Sequence, residues 1–228
     1  MGRGSIVPPL PREGGTLMAP TQEGPARTRV PNRWGQGDRL RTEILRAAGR
    51  LLAQGGSEEN LSLRAIARET GVAAPSIYRH FRDKTEIVWE VLAGAYGELA
   101  TVMREAERSA GGSPRDRLAA MADAYCRFAA DRPRHYRLMF DLEQSAVPME
   151  RLAEHPVGEI LDTWETAVGR FLEDHPHPRL DARQLAVLLW TALHGHVSLR
   201  RAMPVPEDME GQSQTHEQLL TELLGPAV

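Results

Sequence analysis

Apolar residues recur along most of the chain at intervals of three and four, the spacing that lines one face of an α-helix. No stretch alternates with the period of two that a half-buried strand requires. The regular pattern begins at Asp38, a residue type that caps helix starts, and places Leu40, Ile44, Leu45, Ala48, Leu51 and Leu52 on one stripe ending at Gly55-Gly56. Two short helices are predicted next, over Ser62–Thr70 and Ala74–Phe81, separated by Gly71, which tolerates the left-handed backbone at a helix end. Asp83 caps a long helix that carries Ile87, Val88, Val91, Leu92, Leu99, Val102 and Met103 on its apolar face. Ser113-Pro114 starts a helix to about Asp131, and Arg132-Pro133 closes it and opens another through Phe140. A helix over Met149–Glu173 contains Pro156 and Gly158, which can delay its start, and His175-Pro176-His177-Pro178 breaks the pattern. Asp181 caps an apolar helix to Met203, and Thr215–Leu224 forms the last one. The expected fold class is all-α.

Three helices with a tight glycine turn between the second and third make a helix-turn-helix, whose third helix enters the major groove of DNA. Ile66, Ala67, Val72, Ile77 and Phe81 would tie the pair beneath Ile44, Ala48 and Leu52. Left facing outward are Ser62, Arg64, Ser76, Tyr78, Arg79, His80 and Lys84, side chains that can bond phosphates or base edges. The run Ile44-Leu45-x-Ala47-Ala48, then Leu61-Ser62-Leu63-Arg64-x-Ile66-Ala67, then Gly71-Val72-x4-Ile77-Tyr78-x-His80-Phe81-x-x-Lys84 resembles the TetR family of repressors in residue type, order and spacing. The resemblance implies that Ser62 and Lys84 hold phosphates, that Arg64, Ser76 and Arg79 reach bases, and that Tyr78 and His80 contact the backbone at the groove edge. Ala73 departs from the Ser or Thr cap usual in that family. Ala74 stands where a polar reader is common, which leaves contact with a thymine methyl as its main option.

Charge sharpens this division. Met1–Thr85 holds 14 Lys and Arg against 8 Asp and Glu, a balance of +6, whereas Glu86–Val228 holds 14 against 23, a balance of −9. A basic segment on an acidic body points to a polyanion partner for that segment alone. The reading is therefore a basic, disordered arm over 1–37, a helix-turn-helix DNA-binding domain over 38–84, and a helical ligand-binding and dimerisation domain over 85–228. Within the arm, Arg27, Arg29 and Arg33 could enter a minor groove, or the segment could be a leader without a role. The single cysteine, Cys126, permits no internal disulfide and reads as a small buried hydrophobe of a cytoplasmic protein. Arg3, Pro8, Pro9 and Pro11 are unlike an apolar signal core, and stretches such as Leu185 to Leu193 are too short to cross a membrane, so no membrane partner is expected.

Proteins of this class bind double-stranded operators as dimers, so a homodimer surface is expected. The strongly apolar helix from Asp181 supplies Leu189, Trp190, Leu193 and Val197 for it, and Leu220 and Leu224 would add a second helix; an internal core role is the alternative. Trp190-x3-His194-Gly195 is similar to the Trp-His-Gly pattern of one TetR C-terminal subfamily, and members of the wider family bind apolar or amphipathic small molecules among these helices. Candidate pocket residues are Met103, Met121, Tyr125, Phe128, Met139, Phe140, Trp164, Phe171 and His194, with ordinary core packing as the alternative for each. The function expected is a repressor released from its operator by an unknown small molecule, with no cofactor and no catalytic residues. The rival readings are metal sensing through the scattered histidines, a helical enzyme, or a protein-interaction scaffold. His175 and His177 flank prolines in a loop, and His194 and His196 point to different helix faces, so no metal site is expected.

Overall fold

The computed structural model describes residues 37–55, 61–140, 154–202 and 209–225, with the side chains of residue 55 and of residues 209–216 left aside. Residues 1–36 of the arm, with Arg27, Arg29 and Arg33, as well as Gly56 and the expected helix start at Met149, lie outside the described residues. Among those described there are nine helices and no strand: α1 (Gly37–Gly55), α2 (Leu63–Thr70), α3 (Ala74–Ile77), α4 (Lys84–Ser109), α5 (Pro114–Asp131), α6 (Pro133–Phe140), α7 (Gly158–Asp174), α8 (Ala182–Ala202) and α9 (Met209–Leu224).

Side-chain caps set several of the boundaries. Ser62 accepts the Ala65 N–H at 3.1 Å to open α2, and Asp83 accepts the Glu86 N–H at 2.8 Å to open α4. At α5 the cap is reciprocal: Ser113 Oγ accepts from the Asp116 N–H, while the Asp116 carboxylate accepts from the Ser113 N–H at 2.8 Å. Asp181 and Gln184 form the same reciprocal pair ahead of α8. Gly71 ends α2 at φ 68°, and the Val72 N–H reaches back to the Ala67 carbonyl at 3.0 Å.

Three elements differ from the sequence expectation. The helix α3 starts at Ala74 as expected but is a single turn, because the chain passes into turns at Tyr78; the Phe81 N–H still bonds the Ile77 carbonyl at 3.1 Å. The helix α7 begins at Gly158, after Pro156, and α9 begins six residues before Thr215, at Met209.

The long α4 runs from the helix-turn-helix into the body and packs against α1, α5, α6 and α7, while α7 packs broadly on α8 and α9 closes over α5 and α8. Polar clasps reinforce these contacts. Arg104 of α4 donates to Glu159 at 3.1 Å and Thr163 at 3.3 Å on α7, and Arg170 of α7 pairs with the buried Glu107 of α4. Arg115, almost wholly buried on α5, holds α9 through Glu217 at 2.7 Å, Thr221 at 3.0 Å and the Gly225 carbonyl at 3.2 Å.

Candidate functional site

Buried apolar side chains make the helix-turn-helix rigid. Ile44, Ala47, Ala48 and Leu52 of α1 pack with Leu61, Ile66, Ala67, Ile77 and Phe81 in a core that leaves none of them appreciably exposed. Arg41 lies over the Phe81 ring at 5.0 Å and pairs with Glu90 of α4, and Arg50 pairs with Glu69 at 3.0 Å. The unit is thus tied both within itself and to the long helix.

On its outer side Ser62, Arg64, Tyr78 and Arg79 are exposed, and Tyr78 is 60% accessible although aromatic. Ala74, Ser76, His80 and Lys84 are half-buried. Arg79 donates to Ser76 Oγ at 3.2 Å, so these two are each other's partners in the free protein. His80 abuts the start of α1, its ring 3.8 Å from where a side chain on Gly37 would begin. Exposed Arg68 and Arg82 join the cationic side and were not among the sequence candidates. The Arg64–Arg68 spacing of four was the available signal for the first; Arg82, which pairs with Glu86 at 3.3 Å, follows the recognition turn and is set by fold alone.

In the body, the candidate pocket residues fall into separate places. Tyr125, Phe140, Trp164 and His194 meet in one aromatic cluster with Tyr136 and Trp190, two residues the pocket reading omitted. Trp190 Nε1 donates to Tyr125 Oη at 3.2 Å, the Tyr125 and Tyr136 hydroxyls are 2.9 Å apart, and Tyr136 Oη stands 2.6 Å from His194 Nδ1. Tyr125 Oη also stands 3.1 Å from the same Nδ1, so the two hydroxyls and the ring nitrogen form one hydrogen-bonded triangle. Burial pushes the Tyr125 and Tyr96 hydroxyls well above the ordinary phenol range, so both are neutral donors. Met103, Met121 and Met139 are packed in the core, Phe128 lies under the Arg132 guanidinium at 5.2 Å, and Phe171 stacks on His175 at 4.9 Å. A cavity of about 510 Å³ between α1, α4 and α6 is lined by none of the nine.

One buried polar atom in the body is unanswered. Trp164 Nε1 has no hydrogen-bond partner, alone in this among the described side chains, and its ring sits 6.2 Å from that of Tyr125. A buried donor without an acceptor costs on the order of 1–3 kcal/mol.

The expected partner face of α8 needs correction. Leu189, Leu193 and Val197 recur every four residues on the side turned into the protomer's own core, as does Leu220 of α9, and Trp190 points inward to Tyr125. Leu224 is half-buried. The side of α8 open to a partner carries Val187, Leu188 and Leu199 instead, each at least 40% exposed. Apolar residues all round this helix left the sequence unable to distinguish the two sides.

Cys126 is buried, and burial pushes its thiol up to about 12. Among the described residues no three His, Cys, Asp or Glu gather as metal ligands, and no helix is long and apolar enough to cross a membrane.

Comparison with known proteins places this geometry. Residues 44–91 match the bacterial regulatory proteins of the tetR family, and residues 118–223 match the tetracyclin repressor-like C-terminal domain. An uncharacterized HTH-type transcriptional regulator of Haemophilus influenzae is 35% identical over 106 residues, covering 46% of this chain and about half the length of that relative. Among solved structures, the transcriptional regulator FadR of Bacillus subtilis in complex with stearoyl-CoA superposes with a TM-score of 0.67 at 17% identity, over 82% of this chain and 99% of that one. The fatty acid degradation regulator FadR of Bacillus halodurans does so at 0.66 and 16%, again over 82% and 99%. At these identities the two structures share the fold.

Proposed function

The chain belongs to the TetR family of bacterial regulatory proteins, a family of DNA-binding transcriptional regulators and not of enzymes, and on that premise we propose that it is a dimeric repressor released from its operator by a small molecule. The observation that carries the DNA half is the outward row of Ser62, Arg64, Tyr78 and Arg79 on a unit held from beneath by buried Ile44, Ile66, Ile77 and Phe81. Phosphate contacts from Ser62, Tyr78, His80 and Lys84 would fix the register, and Arg79, freed from Ser76, would reach a base edge beside Ala74.

The two heads of a dimer must sit about 34–36 Å apart to meet successive major-groove faces, so their separation is the regulated quantity. Val187, Leu188 and Leu199 of α8 form the pairing face, with α9 beside them. The ligand enters the aromatic cluster, where the unanswered Trp164 donor and the Tyr125–Tyr136–His194 triangle offer polar handles in apolar surroundings. This cluster contains the Trp190 and His194 of the Trp-His-Gly pattern, which supports placing the body in that subfamily. The acyl-CoA bound by the Bacillus subtilis relative makes acyl thioesters the first class to screen. Displacement of α7 or α8 by a ligand would pass to α4, about 39 Å long at 1.5 Å per residue, whose first turn adjoins the recognition element. Linkage requires the ligand to weaken DNA binding by the factor that DNA weakens ligand binding.

The test is footprinting on the DNA upstream of the chain's own gene. A two-fold symmetric protected site is expected, with affinity falling steeply as salt rises. An affinity indifferent to salt, or left unchanged by Tyr78→Ala and Lys84→Ala, would overturn the reading.

A further inference from the structure

The cavity between α1, α4 and α6 takes no part in the operator surface or the aromatic cluster. Its volume of about 510 Å³ falls within the range of roughly 300–1,000 Å³ that holds a small organic molecule. Leu45 of α1, Val91 and Ala95 of α4 and Leu138 of α6 give it an apolar floor. Gly49 and Gly94 keep it wide; a Cβ added at Gly94 would meet nothing within 4 Å.

Charges lie along the rim, and most are already answered. Glu90 is held by Arg41, Glu98 by Arg132, and Arg50 by Glu69. Arg46 on α1 and Arg134 in the first turn of α6 remain, both exposed and without an ion pair among the described residues. The first turn of a helix adds partial positive charge of the same sign. We propose that this groove is a second ligand site, which takes an amphipathic carboxylate: an apolar body on the floor and an anionic end shared between Arg46 and Arg134. Such a ligand would bridge the reading unit and the body, because α1 belongs to the one and α6 to the other. Occupancy would then fix the angle between them directly, without passing through the aromatic cluster. Only this last consequence rests on the operator-binding reading.

The experiment uses the full chain without DNA and a decanoate carrying a photoreactive diazirine, with cross-linked peptides mapped by mass spectrometry. Saturable labelling is expected on residues 42–54, 90–98 and 134–138. Decanoate should compete, and decanol, which lacks the anionic end, should compete at least tenfold less well. Gly94→Leu fills open space on a helix and should cut labelling at least tenfold with the far-UV circular dichroism unchanged. The Arg46→Gln, Arg134→Gln double variant should weaken decanoate about tenfold while leaving decanol unchanged, which keeps the site testable should the leucine variant fold poorly. Labelling that does not saturate, that maps around Tyr125 and Trp164, or that survives both variants overturns the proposal. Because no DNA is present, failure here leaves the operator reading standing, and an absent operator leaves this site standing.

Discussion

The reading unit and the helical body keep their chemistry on opposite sides of their surfaces. In the reading unit the buried residues are apolar, Ile44, Ile66, Ile77 and Phe81 among them, while Arg64, Tyr78 and Arg79 face solvent. In the body the distinctive polar atoms are buried: the hydroxyls of Tyr96, Tyr125 and Tyr136 and the indole N–H of Trp164. Substitutions at the chemistry-bearing positions should therefore separate affinity from stability in the head and act first on stability in the body.

The largest expected effect lies in the body. Tyr125→Phe removes the hydroxyl that accepts from the part-buried Trp190 N–H and contacts both Tyr136 and His194, leaving Trp190 without this acceptor and Tyr136 with one fewer hydrogen bond in a buried site. A cost of about 2–3 kcal/mol is expected, which for a chain of this size lowers the melting temperature by roughly 5–10 °C. Operator affinity of the folded protein, measured well below the transition, should stay within about twofold. Equal losses of affinity and stability would break the separation of the two regions.

Gly71→Ala comes next and tests the head as a folded unit. The backbone there stands at φ 68°, which a Cβ makes unfavourable by about 1–2 kcal/mol, although space itself is open. The turn between α2 and α3 should loosen, so operator affinity falls with stability. Hydrogen exchange should rise in residues 63–81 and stay unchanged in α5, α7 and α8. Uniform exchange across the molecule would mean that head and body open as one.

These contrasts explain what was legible in the sequence. The head is local: cap, turn and outward side chains lie within Ser62–Lys84, so spacing alone arranges them, and caps at Ser62, Asp83 and Ser113 are local signals of the same kind. The body's cluster draws Tyr125 from α5, Tyr136 from α6, Trp164 from α7 and Trp190 with His194 from α8, and their meeting depends on helix packing that no periodicity encodes. Tyr136 was missed for that reason, and Phe171 was grouped with residues it does not meet. The inward turn of Leu189, Leu193 and Val197 was hidden because α8 is apolar on both sides, Val187, Leu188 and Leu199 matching them in kind.

Tyr78→Ala carries the comparison to the head's outer face. The ring is 60% exposed, so stability should change by less than about 0.5 kcal/mol. Operator affinity should fall about tenfold, a difference of roughly 1.4 kcal/mol, and about equally on all operator sequences if the contact is to phosphate. A loss confined to one operator position would instead make Tyr78 a base reader. Measuring both variants, Tyr78→Ala and Tyr125→Phe, on one operator by one method gives the double dissociation that the two regions predict.

The smallest effect is set by pH, and its onset should differ between the regions. His155, against the rings of Trp89 at 5.4 Å and Tyr96 at 5.9 Å, is held below its ordinary value of 6.5 by burial. The native state therefore binds its proton less readily than the unfolded chain, and its contribution is lost as pH falls below about 6.5. At the head's junction, Glu86 is held below 4.5 chiefly by accepting the Arg82 backbone N–H at 2.6 Å. Asp116 of the body's α5 cap is held below 3.8 chiefly by the Ser113 backbone N–H. Both carboxylates give stability that is present above those values and declines as pH falls through and below them. Urea midpoints should therefore begin to fall between pH 7 and 5.5 in the parent and not in His155→Gln, while Glu86→Gln should flatten only the steeper fall below about pH 4.5. A His155→Gln protein that still loses stability above pH 5.5 would move the titrating group elsewhere. The earlier onset would then not arise from the His155 contacts of the body.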